Sequence, residues 1–584
     1  MGDQVKAFGL PLPFGSIDYP EAFEWVAYTG VDPANMGSWE GQAYLLAVTA
    51  FDKDGSTTRV GALPLPFGDI DLMTPFAVAT RGAMTTLYPA ATIGRSSRPD
   101  DVPANLYVPG RLEPGFNYTV ELFSGADPLA TGSNTIGIIQ LDDPEGELDG
   151  LIGLGWDGAT LTLYRGDPAD YFSGWNVVAQ VTAAGLLHDA NIKEIQLRDL
   201  AWLLDTAPLH GQIYGGTGGM DGDPNLAGFN KPYAIGHFFN ATPVPLNAAL
   251  EIYQLSCSSM QSILAKDGGD ALTLDGDDPD YATLAGAAIG DGHFRTCLAL
   301  GIYRMGGKPV LIATADGIGD ADVINGHGTP LTRGQICRRI ATGRGLVKLD
   351  DVAGLDNASF ADLDNKQPGP CGWYWNDGSN ASTTKGAALD TMMPGCLGWW
   401  FMRLSGQLAV GQCEDPELQT AAYSLSFPAE DAGEVRVFLP SMTDYKPPRQ
   451  ATYIGFQKNF TVLQTNQTAG ILDPTTTTIL KNATQYAKSL DPWASSSYPT
   501  SPIVQVDGAF AFQIDAQAEA DRQQALMRVR RARYTLPVAL DPAGDFPGRI
   551  LNLANYGRQG WGSSRNFLCC GMNAQGGVSI ELWG

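Results

Sequence analysis

Ala159-Thr-Leu-Thr-Leu-Tyr164, Asn176-Val-Val-Ala-Gln-Val-Thr182 and Ile192-Lys-Glu-Ile-Gln-Leu197 follow one another within forty residues, each alternating or densely β-branched. A period of two places successive side chains on opposite faces of a pleated ribbon, so each run reads as a strand. Arg165-Gly-Asp-Pro168 supplies turn residues between the first two. Further out, Asn134-Thr-Ile-Gly-Ile-Ile-Gln-Leu141 reads as a strand. So does Tyr44-Leu-Leu-Ala-Val-Thr-Ala-Phe51, turned by Asp52-Lys-Asp-Gly55. Gly150, Gly153 and Gly155 punctuate 148–154, and Arg198-Asp-Leu-Ala-Trp-Leu-Leu-Asp205 is a short amphipathic helical turn that closes the unit. Short strands at this spacing predict a small barrel or sandwich.

The rest of the chain continues the β theme with helical pieces. A Gly-rich stretch, Gly215-Gly-Thr-Gly-Gly-Met-Asp-Gly-Asp-Pro224, leads into a β-rich region over 230–320, whose best helical piece is Asp280-Tyr-Ala-Thr-Leu-Ala-Gly-Ala-Ala288. Thr332 is positioned to cap a helix over 333–342, and Thr383 or Thr384 one over 385–393. Leu397-Gly-Trp-Trp-Phe-Met-Arg-Leu404 and Gln407-Leu-Ala-Val-Gly-Gln412 predict a hairpin about Ser405-Gly406. Val435-Arg-Val-Phe-Leu439 opens the last segment with β signal, and 461–503 is rich in Thr, Asn and Ser. One long helix is expected from Asp515 to about Arg533. Asp515, Glu519 and Asp521 lie toward its start, and Arg528, Arg530, Arg531 and Arg533 toward its end, as the helix dipole favours. Val578-Ser-Ile-Glu-Leu-Trp583 is a terminal strand ending on its core face. Leu10-Pro-Leu-Pro-Phe-Gly15 recurs as Leu63-Pro-Leu-Pro-Phe-Gly68. Alternate prolines favour an extended path, so the first copy reads as an arm on a surface or as a duplicated loop.

Composition sets outer limits. The 584 residues include 63 acids against 37 bases, giving a formal charge of −26, and 70 Gly with 38 Pro. Apolar residues at 44% suffice for real cores and argue against global disorder. Such acidity is incompatible with coating nucleic acid through a general basic surface or with attraction to anionic membranes. No run reaches the ~18 apolar residues that span a bilayer. Met1-Gly-Asp-Gln-Val-Lys6 has no basic region followed by an apolar core, so no secretory leader is expected.

Catalytic motifs are tested and fail one by one. Met220-Asp221 follows the glycines at 215–219 where a phosphate loop needs Lys and Ser or Thr, and Gly306-Gly-Lys308 runs into Pro309. Asp275-Gly-Asp-Asp-Pro-Asp280 and the acids of 316–322 lack the twelve-residue calcium-loop pattern and read as solvated turns. His188, His210, His237, His293 and His327 have no chelating spacing, and no nucleophile elbow occurs. Cys371, Cys396 and Cys413 cluster loosely with spacing wrong for a common zinc module. Buried reduced thiols are the expectation for the eight cysteines. No catalytic, cofactor-binding or metal residue is selected. A glycosidase pair among 63 acids is neither excluded nor identified, because its signature is a distance in space.

Four stretches, taken in order, resemble the tail hub (baseplate hub) proteins of long-tailed bacteriophages and related gene transfer agents. The first is Ile136-Gly-Ile-Ile-Gln-Leu-Asp-Asp-Pro-Glu-Gly-Glu-Leu-Asp149 with Asp157-Gly158, Arg165-Gly166, Arg198-Asp-Leu200 and Leu203-Leu-Asp205. The second runs from Thr217-Gly-Gly-Met-Asp-Gly222 through Asn230-Lys-Pro232 and Ile252-Tyr-Gln254 to Asp280-Tyr-Ala-Thr-Leu284. The third is Ser359-Phe-Ala-Asp-Leu363 with the helix and hairpin through Asp415-Pro416. The fourth is Asp515-Ala-Gln-Ala-Glu-Ala-Asp-Arg522, Arg533-Tyr534 and Leu582-Trp-Gly584.

The resemblance implies a mainly β, multidomain fold with α+β insertions. It divides the chain into an extended arm (1–40), a first tube-like β-barrel (41–215), a β-rich domain (216–330), a small α+β domain (331–425) and a second tube-like β-barrel (426–584). The last carries the long helix and a polar insertion at 461–503. The arm and the insertion do not map onto the family and read as local decorations or contacts to neighbours. The resemblance further implies a structural, non-enzymatic virion protein made in the host cytoplasm. It would be a homotrimer matching a sixfold tail tube to a threefold tip, in contact with tail-tube or distal tail, tape-measure and tip or fibre proteins. DNA would pass transiently through its lumen, past acidic walls that repel phosphate, with no stable membrane insertion and no cofactor. The alternatives are a tail-tip receptor-binding protein, with 461–503 as the contact, or a tail-associated glycan depolymerase, for which 12 Trp and 21 Tyr could stack on sugars.

Overall fold

The computed structural model describes residues 27–28, 43–52, 84–91, 95–101, 104–112, 118–129, 132–167, 169–426, 441–538, 546–554, 564–573 and 578–584. Both Leu-Pro-Leu-Pro-Phe-Gly copies and the strand expected at 435–439 lie outside these residues. So does the 1–40 arm, except for Ala27–Tyr28, which pairs antiparallel with Tyr423–Ser426. The architecture is mainly β, with several sheets and helices between them.

The alternating runs of 159–197 lie in the first sheet, six strands in the order Met84–Ala91, Ala43–Asp52, Leu154–Gly166, Asn176–His188, Ile192–Arg198 and Ile138–Asp142. Alternation does what the period demands: Ala159, Leu161, Leu163, Val181 and Ile195 turn into one core. Among the described residues this sheet is not a closed barrel. Its two edges are instead tied by a short strap, where Ala91 bridges Gly110 and Leu112 bridges Leu141. The strap's main-chain hydrogen bonds include Leu112 N–H to the Ala91 carbonyl at 3.0 Å and Asp142 N–H to the Arg111 carbonyl at 2.8 Å.

The single strand expected over 134–141 is two. Ser133–Ile136 and Ile138–Asp142 belong to different sheets, with Gly137 between them. Ser133–Ile136 pairs with Tyr118–Glu121, and that hairpin joins the C-terminal sheet. One edge of Ser564–Asn573 is shared: Ile550–Ala554 takes residues 564–568, and Tyr118–Glu121 takes residues 571–573. The first and last β units therefore have one continuous core, from Leu46 and Ile139 to Phe567 and Trp583. A local pattern of apolar residues cannot reveal that the chain changes sheets at a glycine.

Between these units lie two five-stranded sheets, built from residues 233–375 and 244–305, and helices that follow their cap signals. Helix Arg333–Thr342 starts at Thr332 with a reciprocal Thr332–Gln335 capping box. Thr384 rather than Thr383 caps Lys385–Met392, and Asp280 caps Tyr281–Gly286. The hairpin is Gly398–Met402 with Leu408–Gln412, turned at Gly406 with φ +82°.

One expectation about the last segment is corrected. The long helix spans Gln513–Met527, and Arg531 and Arg533 sit in the next strand, Arg531–Val538, rather than at its C-terminus. Pairing of that strand with Ser441–Lys446 and Val578–Trp583 outweighs helix propensity. The polar 461–503 segment contributes Gln485–Leu490 to a three-stranded sheet with Ala451–Phe456 and Ile503–Phe510. It also packs on the chain itself, with Thr461 N–H to Asn240 C=O at 2.9 Å and Ala469 N–H to Gly268 C=O at 2.9 Å.

Candidate functional site

The acidic turn of the first unit is a clamp. Asp143 accepts the Leu148 N–H through both carboxylate oxygens, each at 3.1 Å. Lys193, from the strand Ile192–Arg198, reaches Asp143 at 3.1 Å and Asp149 at 2.8 Å. Arg111, on the strap between the sheet edges, reaches Asp143 at 3.2 Å and Glu147 at 2.6 Å. Asp143 and Lys193 are fully buried. Burial alone would raise the Asp143 carboxyl, but the Leu148 N–H, Lys193 and Arg111 outweigh it and hold it below the usual carboxylate range. The stretch Asp142–Asp149 thus holds the strap in place by charge.

The seam between the two β units is built from 118–129 against the C-terminal strands. Arg533 donates to the Phe123 carbonyl at 3.1 Å and to Glu121 at 2.9 Å, and its Nε lies 3.1 Å from Glu581. Trp583 Nε1 donates to the Ala126 carbonyl at 2.8 Å, and Arg449 meets Asp127 at 2.9 Å. Arg533, expected to finish a helix, instead satisfies a main-chain carbonyl and two acids across this junction.

Beside the seam opens a cleft of about 330 Å³. Glu121 comes from the seam, Asp199 from just before the helix Ala201–Thr206, Asp205 from that helix's last turn, and Asp390 from Lys385–Met392. Trp399 and Trp400 come from the tryptophan hairpin. Trp400 Nε1 donates to Asp390 Oδ1 at 2.8 Å. Burial raises the Asp390 carboxyl against that donor. Burial also raises Asp205, and the charge of Asp390 adds to it. Trp399 is buried in the wall, and its Nε1 has no hydrogen-bond partner. Gly411 makes room for it, since a Cβ there would lie 2.3 Å from the indole. Asp205 and Asp390 thus stand together beside the tryptophan hairpin, the first exposed and the second tied to the Trp400 indole.

No protein-family model matches the sequence, and no curated protein matches it. Among solved structures the chain is similar to the tail protein from Neisseria meningitidis MC58, at 10% identity and a TM-score of 0.31, over 81% of this chain and 94% of that one. It is similar to prophage tail protein gp18 from Listeria monocytogenes EGD-e at 7% identity and a TM-score of 0.28, over 82% and 90%. A chain from the virion of a native gene transfer agent particle aligns at 14% identity and a TM-score of 0.14, over 48% of this chain and 80% of that one.

The other motif-bearing residues are absorbed by structure. Gly216, Gly218, Gly219 and Gly222 take positive φ in a tight turn closed by Thr217 Oγ1 to Asp221 at 2.9 Å. In 275–280, Asp275 meets His293 at 2.7 Å, Asp278 takes a bidentate Arg295 at 2.9 and 2.7 Å, and Asp280 caps a helix. In 316–322, Asp316 pairs with Lys266. Asp320 accepts from Tyr233 at 2.6 Å, Arg339 at 2.8 Å and Arg344 at 3.0 Å. All eight cysteines are free thiols, and Arg333 faces Cys337, Cys371 and Cys396 rather than a disulfide. Sequence reading missed the cleft. Asp205 and Asp390 are brought together by two helices far apart in the chain, and only the Trp399-Trp400 pair was visible beforehand.

Proposed function

We propose that this chain is a structural protein of a phage-type tail, acting as a homotrimeric hub that adapts a sixfold tail tube to a threefold tip. The observation that carries the reading is the shared core of the first and last β units, locked by the pairing of Tyr118–Glu121 with Ser133–Ile136 and with Ser564–Asn573. A hub protomer must hold two tube-forming elements at a fixed spacing, and a common core with buried Arg533 and Trp583 contacts supplies that rigidity. The ordered sequence motifs support the same reading. Division into an arm, two tube units and the intervening domains belongs to this proposal, as do tape-measure and tip partners and residence in the virion. The reading is structural rather than catalytic. The acidic excess would line the lumen and let DNA slide.

The test is the mass and image of the purified assembly. Three copies in a ring with pseudo-sixfold symmetry at the tail end are expected. A stable monomer under all assembly conditions overturns the hub, and a basic lumen overturns the sliding role.

A further inference from the structure

Asn325-Gly326 is the only Asn-Gly step in the chain. It forms the tip of a two-residue turn, with Asn325 at φ +53° and Gly326 at φ +80°, the left-handed pair that a tight hairpin turn requires. Ile324 and His327 close the turn by exchanging main-chain hydrogen bonds of 3.0 and 2.9 Å. Both tip residues are exposed, and a Cβ built at Gly326 would meet nothing within 4 Å. Other asparagines are tethered. Asn230 donates to the carbonyls of Gly378 and Asn380, and Asn459 to those of Ile479 and Asn482. Among the described residues no such bond holds the Asn325 carboxamide or the Gly326 N–H. The base of the same turn serves a buried charge. The carbonyls of Asp322, His327 and Gly328 accept from Arg339 Nη2 at 2.9, 2.9 and 2.7 Å. Arg339 is buried, so its guanidinium depends on these acceptors as well as on Asp320.

We propose that Asn325 is a site of spontaneous deamidation, and that its isoaspartyl product releases the 322–328 turn from Arg339. The Gly326 main-chain nitrogen attacks Asn325 Cγ. The new N–Cγ bond closes a succinimide ring, the Cγ–Nδ2 bond breaks, and the Gly326 N–H proton leaves with Nδ2 as ammonia. Glycine favours this attack on two counts: no side chain crowds the nitrogen, and its backbone reorients freely. Water then opens the ring, and nothing is oxidised or reduced. Addition at Cγ restores the ordinary main chain with an aspartate at 325. Addition at the main-chain carbonyl carbon breaks that carbon's bond to the Gly326 nitrogen. The chain then runs through Cβ and Cγ and carries a carboxylate on Cα. This isoaspartyl link inserts an extra main-chain carbon into a turn whose closure depends on the dihedrals of two residues. The Ile324–His327 pairing is lost, and the His327 and Gly328 carbonyls move away from Arg339. The inference rests on this turn alone and stands whether or not the protein is a tail hub.

The experiment ages the full chain in mildly alkaline and in mildly acidic buffer. Peptide mass spectrometry reads the mass gained as an amide becomes a carboxylate, and an isoaspartyl methyltransferase marks the isoaspartyl form. Asn325 is expected to convert at least about tenfold faster than any other asparagine, a barrier difference of about 1.4 kcal/mol. Conversion should be faster in alkali, where the attacking nitrogen gives up its proton more readily. Hydrogen exchange then compares the parent, the chromatographically resolved isoaspartyl protein and Asn325→Asp, which carries the charge without the extra carbon. Faster exchange over 320–328 and in the helix Arg333–Thr342 is expected for the isoaspartyl protein alone. Asn325→Gly keeps a residue that accepts positive φ and has no amide to lose, so on ageing it should retain parent-like exchange. Conversion of Asn325 no faster than that of other asparagines overturns the site. Unchanged exchange in the isoaspartyl protein, or the same change in Asn325→Asp, overturns the release of Arg339. Loosening of aged Asn325→Gly to the extent seen in the aged parent assigns the effect to another lesion and equally overturns the proposal.

Discussion

Asp143 and Asp320 are both completely buried carboxylates, yet the protein uses them in opposite ways. Asp143 sits on a turn and takes two bonds from its own Leu148 N–H, so Lys193 and Arg111 reinforce an anion the backbone already holds. Arg111 and Asp149 also reach the rim, where water can replace a lost partner. Asp320 stands at the end of the strand Ala313–Gly319 and gathers Tyr233 from the neighbouring strand, Arg339 from a helix and Arg344 beyond it. Arg339 is itself buried and donates further to the carbonyls of Asp322, His327 and Gly328. The first cluster is a latch on one sheet edge. The second is a node on which sheet, helix and loop all depend.

Breaking the node should have the largest effect. Asp320→Ala leaves the Arg339 guanidinium buried without its carboxylate, and removing one partner of a buried pair costs about 3–5 kcal/mol. Urea unfolding of the variant should show a loss in that range, about 4 kcal/mol. A loss under about 1 kcal/mol would mean that water reaches Arg339, and the contrast with Asp143 would collapse.

Acid separates the two regions next. His210 lies against Tyr233 with ring centroids 5.7 Å apart. Burial lowers it from 6.5 to about 4, Arg344 and Lys231 push the same way, and Asp377 opposes. Its folded pKa is thus depressed, and the folded state holds it neutral. That stability is fully present above pH 6.5, is lost as pH falls toward about 4, and amounts to on the order of 3 kcal/mol. Asp143 is also depressed, but its contribution is lost only as pH falls below its ordinary value of 3.8. Between pH 6.5 and 4 the node region should therefore weaken while the latch stays intact. His210→Asn should flatten the stability slope across that window, and an unchanged slope would assign it to another group.

The latch gives a smaller loss. Lys193→Met removes a buried ammonium but leaves Asp143 with Arg111 and the Leu148 N–H, so about 2 kcal/mol is expected, below the range for a stripped pair. Hydrogen exchange should localise the change to Ile138–Asp142, Ile192–Arg198 and the 109–112 strap. Loss of protection throughout the molecule would show that the latch is a second node.

How much of this was legible in sequence follows the range of the forces. Strands such as Leu154–Gly166 and Ile192–Arg198 were readable because alternation is local, and the helix at 333–342 because Thr332 and Gln335 lie three residues apart. The division of 133–142 between two sheets was not, because what pulls Ser133–Ile136 away is Tyr118–Glu121 and, beyond it, the strand Ser564–Asn573. Arg531 and Arg533 misled for the same reason: their partners Asp415, Glu121 and Glu581 are set by the fold, not by the helix before them. The cleft was invisible because Asp205 and Asp390 meet only after the helices carrying them pack.

The smallest effect gives the sharpest check on the node. Thr332 begins the helix that carries Arg339. Its Oγ1 accepts from Gln335 N–H at 3.3 Å and donates to Asp364 at 2.5 Å. Thr332→Ala should cost about 1 kcal/mol, the usual value of an N-cap, and Thr332→Ser should restore most of it. If the helix holds Arg339 in place as a rigid body, losing the cap frays only the first turn and leaves the Asp320 pair untouched. The two losses should then add to within about 0.5 kcal/mol in a double-mutant cycle of Thr332→Ala with Asp320→Ala. A coupling well above that would mean that the cap sets the Arg339 geometry. The node would then extend the length of the helix and differ from the latch in reach as well as in burial.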